Sequence, residues 1–148
     1  MQEREGGRRL TVEQFMELAI RFEMESAEFY RAMRGLVTER SAQELLFLLE
    51  SQEKEHEQTL RRQKPPANPG LVITFTSELS LAMPMPREEP GFAEMLALAI
   101  ARERKSADIY REAAATTAGE FRKLLEGLAA FEEQHERRLK DLRAARKG

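Results

Sequence analysis

The chain has 148 residues, 41% of them hydrophobic and 34% charged, with a formal net charge of -2 and no cysteine. That length suits a single domain with one core, and so small a charge gives no field for nucleic acid. Without cysteine there can be no disulfide, thiolate catalysis, zinc ribbon or rubredoxin-type iron site, so any metal must be held by oxygen and nitrogen.

Glutamate far outnumbers aspartate, alanine and leucine are plentiful and tryptophan is absent, the composition of an all-α protein with salt-bridged outer faces. The polar start, Met1 to Arg9, has no apolar segment or cleavage pattern, and no run approaches the ~18 apolar residues of a membrane span. A cytoplasmic protein that is neither secreted nor membrane-bound is expected. The basic end (Arg137, Arg138, Arg143, Arg146, Lys147) reads as a solvated helix terminus.

After a flexible tail over residues 1–10, Thr11 and Gln14 form a capping box that opens a first helix over about 12–36, through Phe15, Leu18, Ala19, Phe22, Phe29 and Met33. Ser41 and Glu44 suggest a second box and a helix over about 42–62 through Leu45, Leu46, Leu49 and Leu60. Residues 63–89 form a crossover loop punctuated by proline, within which the β-prone Leu71 to Phe75 stretch should run extended along the bundle or against a partner chain. Met83 and Met85 in that loop read as packing residues. A third helix, about 90–115, starts at Pro90 and passes through Phe92, Met95, Leu96, Ala99 and Ile100. Thr117 and Glu120 suggest a third box and a helix over about 118–145 through Leu124, Leu125, Leu128, Leu139 and Leu142. The whole of 11–146 is expected to be one domain.

The two hairpins are copies of one another. At an offset of 80, Glu23, Ser26, Ala27, Tyr30 and Arg31 match Glu103, Ser106, Ala107, Tyr110 and Arg111. At an offset of 79, Glu53, His56 and Glu57 match Glu132, His135 and Glu136, and His56 and His135 are the only two histidines. A duplicated hairpin closing on itself gives a four-helix bundle with a pseudo-two-fold axis, on which equivalent residues can meet.

Helical geometry places the repeated polar residues inside. At 100° per residue, Met16, Ala19, Ala27 and Tyr30 lie within roughly 40° of Glu23, and Glu103 has the same kind of neighbours. Residues three apart sit about 60° from each other, so Glu53 with His56, and Glu132 with His135, each turn a carboxylate and an imidazole to one point. Four carboxylates and two imidazoles inside one bundle are prohibitively costly if charged and unpaired. Two divalent cations resolve the cost: Glu23 and Glu103 as outer ligands, Glu53 and Glu132 as bridges, and one histidine on each ion. Tyr30 and Tyr110 are placed to hydrogen-bond a ligand carboxylate. Glu50, Glu57, Glu133 and Glu136 read as solvated or salt-bridged.

With these residues the chain resembles the ferritin-like superfamily, and within it the rubrerythrin-like proteins (erythrins) that lack a rubredoxin domain. The resemblance spans residues 12 to 142 and rests on Glu23, Glu53, His56, Glu103, Glu132 and His135 with Tyr30 and Tyr110. It implies a non-haem di-iron carboxylate centre, with manganese or zinc as substitutes, acting on hydrogen peroxide or dioxygen as a peroxidase or ferroxidase. Two departures stand out. Rubrerythrins carry an additional carboxylate where this chain has Ser106, and the missing cysteines call for an external electron donor. The six-ligand set is closer to the symmetric bacterioferritin centre, whereas the duplication and the long middle loop look like erythrins.

The expectation is therefore a di-iron oxidoreductase in oxidative-stress or iron handling. The alternatives are a protein that binds or delivers iron, manganese or zinc without turnover, and a metal-free structural bundle. A homodimer is expected, in which the crossover could let two chains exchange hairpins, with neither nucleic acid nor a membrane as partner.

Overall fold

The computed structural model describes residues 8–63, 72–75 and 91–147. Helix α1, Val12–Arg34, opens on the capping box: the Gln14 amide donates to Thr11 Oγ1 at 3.1 Å and the Thr11 amide to Gln14 Oε1 at 3.0 Å. It ends at Gly35, whose amide donates to the Ala32 carbonyl at 3.1 Å, while the Leu36 amide donates to the Met33 carbonyl at 2.9 Å. Helices α2 (Arg40–Arg62), α3 (Phe92–Ala115) and α4 (Gly119–Lys147) complete the all-α four-helix bundle that the periodicity predicts.

Two capping boxes do not form. Ser41 lies inside α2, behind an N-cap Glu39 that makes no side-chain cap bond, and Glu44 pairs instead with Arg40 at 3.0 Å across one turn. Thr117 instead closes the preceding helix, its hydroxyl donating to the Ala114 carbonyl at 3.0 Å. The chain then reverses through Gly119 at φ +68°, a left-handed conformation that glycine adopts at little cost. Pro90 and most of the crossover, with Met83 and Met85, lie outside the described residues.

Part of the expected N-terminal tail is ordered. Strand β1, Arg8–Thr11, pairs antiparallel with β2, Val72–Phe75, in the register Arg8 to Phe75 and Thr11 to Val72. The ribbon lies along the bundle against α1 and α3, as expected of the β-prone stretch. Ile73 is fully buried and Leu10 packs on the same core, so apolar burial pins a segment whose charged residues alone suggested fraying.

Within each hairpin the helices pack closely, α1 on α2 and α3 on α4. The core falls into two apolar clusters. One gathers Phe15, Leu60, Ile109 and Leu125, and the other gathers Phe29, Met33, Leu46, Leu96 and Leu139. On every helix buried polar residues lie between these clusters: Glu23 on α1, Glu53 and His56 on α2, Glu103 on α3, Glu132 and His135 on α4. A polar belt thus crosses the bundle between two greasy ends, and those ends keep its four helices at fixed spacing.

Candidate dinuclear metal centre

The belt brings all six inward-facing Glu and His residues together, none of them more than 6% exposed. Their donor atoms form two groups: Glu23, Glu53, His56 and Glu132 around one point, and Glu53, Glu103, Glu132 and His135 around another. Glu53 and Glu132 belong to both.

The distances show how they are shared. His56 Nδ1 lies 3.1 Å from Glu53 Oε1, 3.5 Å from Glu132 Oε2 and 3.6 Å from Glu23 Oε1. His135 Nδ1 lies 3.4 Å from Glu132 Oε1, 3.5 Å from Glu103 Oε2 and 3.6 Å from Glu53 Oε2. Each of Glu53 and Glu132 therefore turns one oxygen to each histidine, while Glu23 and Glu103 each serve one. Most of these spans are long for hydrogen bonds, and Glu23 Oε1, Glu53 Oε2, Glu103 Oε1, both Glu132 oxygens and His135 Nδ1 are buried without a hydrogen-bond partner. Donors that each stand about 2.1 Å from one ion are separated by about 3.0–3.4 Å, slightly inside most of these spans, so a small inward shift of the side chains would let them hold two metal ions. The orphaned lone pairs and the nitrogen–oxygen donor set both suit divalent first-row metals.

The protonation pattern shows what stands in for those ions. Burial pushes the Glu53 carboxyl up to about 8, with Glu23 and Glu103 adding repulsion, and it drives Glu132 well above the usual carboxylate range. For Glu103 burial also pushes upward, but the adjoining Glu132, then His135, override it and hold the group at about 2. Glu23 likewise ends lowered, burial being outweighed by His56 and other partners. Burial opposes charge on His56, yet Glu132, Glu23 and Glu53 raise it to about 12, and Glu103, Glu132 and Glu53 raise His135 in the same way. The directions of these shifts favour charge on Glu23, Glu103 and both imidazoles and a proton on Glu53 and Glu132 in the absence of metal.

The tyrosines act crosswise. Tyr110 on α3 donates to Glu23 Oε2 on α1 at 2.6 Å, and Tyr30 on α1 donates to Glu103 Oε2 on α3. Each outer carboxylate is thus held by the opposite repeat, which ties the two hairpins together at the centre. Both phenols remain protonated donors, since burial, then the adjoining carboxylates, raise them well above their ordinary value. Glu50 and Glu136 are salt-bridged to Arg34 and Lys54, and to Arg104 and Lys140; Glu57 pairs with Arg61, and Glu133 with Arg111.

Three solved structures share this architecture. A Thermotoga maritima protein described as ferritin-like and diiron-carboxylate superimposes with a TM-score of 0.79 at 21% identity, over 91% of this chain and 95% of that one. A hypothetical protein of Pyrococcus furiosus gives 0.70 at 21% identity over 88% and 87%, and a dodecameric, bacterioferritin-related thioferritin of Bacteroides fragilis gives 0.66 at 22% over 93% and 90%. The fold is ferritin-like. No family model and no curated protein matches the chain.

Within this ferritin-like bundle the sequence reading missed one partner of the cluster. Gln52 Oε1 lies 2.7 Å from His135 Nε2, where it accepts the ring N–H and leaves Nδ1 facing the carboxylates. Its counterpart in the other repeat is Phe131, whose ring lies 5.0 Å from that of His56. A break in the repeat directly beside a ligand pair was the signal for it. Removing the Tyr110 hydroxyl (Tyr110→Phe) or the Gln52 acceptor (Gln52→Leu) is expected to weaken metal affinity by about 10–100-fold without unfolding the bundle. Competition with a chromophoric chelator, alongside helical circular dichroism, checks both.

Proposed function

We propose that the chain is a di-iron carboxylate protein of rubrerythrin-like type that reduces hydrogen peroxide or dioxygen. The observation that carries this reading is the shared geometry of Glu53 and Glu132, each with one oxygen toward each histidine, which suits two ions held side by side rather than one. Glu23 with His56 and Glu103 with His135 complete the two positions, and Tyr110 and Tyr30 orient the outer carboxylates. Two ferrous ions there would supply two electrons, converting peroxide to two waters or dioxygen to peroxide with uptake of two protons, and an external reductant would restore them.

The protein's own contribution is a dry, preorganised site. The two apolar clusters exclude water on either side, and the buried carboxylates would change partners as charge at the centre changes. Among the described residues no helix is long and apolar enough to cross a membrane. A homodimer is the assembly we favour; the Bacteroides fragilis neighbour, a dodecamer, supports self-association but not that number of copies.

Metal analysis followed by stopped-flow mixing of anaerobically iron-loaded protein with dioxygen and with peroxide tests the reading. Two irons per chain that oxidise rapidly, with ferric absorbance appearing in step, support it. Two metals retained without oxidation would make the chain a binding or delivery protein, and no retained metal would leave a structural bundle.

A further inference from the structure

The duplication provides an internal control on the surroundings of the cluster, because each feature on one flank has a counterpart 80 residues away on the other. Between α1 and α3, against the outer side of Tyr110, lies a cavity of about 20 Å³ that opens to the surface, lined by Phe15, Ala19, Phe22, Ser106, Ile109 and Tyr110. Its enclosed part takes a molecule of only a few heavy atoms. Ser106 is 2% exposed and its Oγ has no hydrogen-bond partner. The Tyr110 hydroxyl is committed to Glu23, so the cavity borders the cluster through one side chain.

On the opposite flank the same space is filled. The counterpart of Phe22 is Arg102, buried at 4% exposure, whose guanidinium donates to Ser26 Oγ, the counterpart of Ser106, at 3.0 Å. It also stacks 4.7 Å from the Phe22 ring centre and 5.4 Å from that of Phe29, the counterpart of Ile109. One serine is thus satisfied by a built-in plug, and the other is left with its hydroxyl free beside an open space. Burying a guanidinium is costly, and packing alone could have been met by an apolar side chain.

We propose that the cavity beside Ser106 is a dioxygen-holding pocket that serves the cluster from this flank alone, which rests on the oxidant-reducing reading above. Its lining selects the occupant. Water requires at least two polar partners to be held in a cavity, and peroxide brings two hydroxyl groups that each need one. The lining offers a single free hydroxyl among apolar carbons. Dioxygen fits the size, asks for no donor, and can accept one weak hydrogen bond from Ser106. Small apolar cavities of this kind also take up xenon, which provides a probe independent of iron.

The test is xenon-pressurised crystallography of the metal-free protein, with the parent compared with two variants that copy one flank onto the other. Ile109→Phe installs the residue that Phe29 represents and should remove the xenon peak; Arg102→Phe installs the residue that Phe22 represents and should create a second peak beside Ser26. After iron loading, Ile109→Phe should slow oxidation by dioxygen about tenfold and change oxidation by peroxide less than about twofold. Xenon absent from the parent cavity, or an unchanged dioxygen rate in a variant shown to have lost its xenon site, overturns the pocket. Because the xenon arm needs no metal, a cluster that fails to bind iron would sink the proposed function while leaving the gas-sized cavity demonstrated. A cavity that stays empty beside an active centre would do the reverse.

Discussion

Glu132→Gln is expected to abolish paired metal binding while leaving the metal-free fold at least as stable as the parent at neutral pH. Both Glu132 oxygens are buried without a hydrogen-bond partner, and burial, then the neighbouring Glu103, Glu53 and Glu23 charges, raise its carboxyl well above the usual range. A group whose folded pKa is raised contributes stability at low pH that is lost as pH climbs above its unfolded value of about 4.5. The neutral amide has the same shape and no such loss, so the thermal midpoint of Glu132→Gln in chelator should equal or exceed the parent's at pH 7. The two should converge near pH 4. Metal affinity moves the other way: an oxygen shared by both positions becomes a neutral amide, and the loss should exceed about 100-fold, beyond what removing a supporting hydrogen bond costs. Glu136→Gln, on a carboxylate held by Arg104 and Lys140, is the control that keeps its metal. Retention of two ions per chain by Glu132→Gln would show that Glu132 does not bridge.

That opposition between metal-free stability and ligand supply explains why so much of the site could be read from the sequence. Amphipathic periodicity reveals a polar residue on an apolar stripe with little ambiguity, and duplication presented the same anomaly twice, at Glu23 and Glu103 and at the two Glu–His pairs. Direction around a helix axis is a local property and needs no knowledge of the fold. Partners across the bundle are not local. The crossed bonds from Tyr30 to Glu103 and from Tyr110 to Glu23 depend on how the hairpins face each other, and the sequence supplied only that each tyrosine lay on the inner face. Gln52 was hidden for the same reason, since its partner His135 is 83 residues away.

The errors were of another kind. Ser41 and Thr117 carry the composition of N-caps, but the box residues have other local partners: Glu44 pairs with Arg40, and the Thr117 hydroxyl donates to the Ala114 carbonyl. Strand β1 looks like a tail in the sequence because its charged residues conceal a single inward Leu10, and because its pairing partner lies about sixty residues downstream. The differences between the repeats, Phe22 against Arg102 and Gln52 against Phe131, were visible in the alignment of the halves. They acquired meaning only when one filled a space that the other left open.

Loading the cluster with two divalent ions at pH 7 is expected to release about four protons per chain, one each from Glu53, Glu132, His56 and His135. These are the four groups whose folded values are raised; Glu23 and Glu103 are lowered and already ionised. Protons and metal therefore compete for the same lone pairs, and the four positive charges of two ions replace four protons, so the buried belt keeps its net charge. Apparent affinity must fall as pH falls, by about two decades per ion for each unit near neutrality if all four protons are displaced. Above pH 8 the slope should flatten, because Glu53, at about 8, has by then given up its proton unaided. Toward acid it should persist, since Glu103 stays ionised down to about 2. Calorimetric titration with ferrous iron or zinc in two buffers of different ionisation enthalpy counts the protons directly. Release of two or fewer would mean that the bridging glutamates are already ionised in the metal-free protein, and that the two imidazolium ions alone balance the four carboxylates only in part.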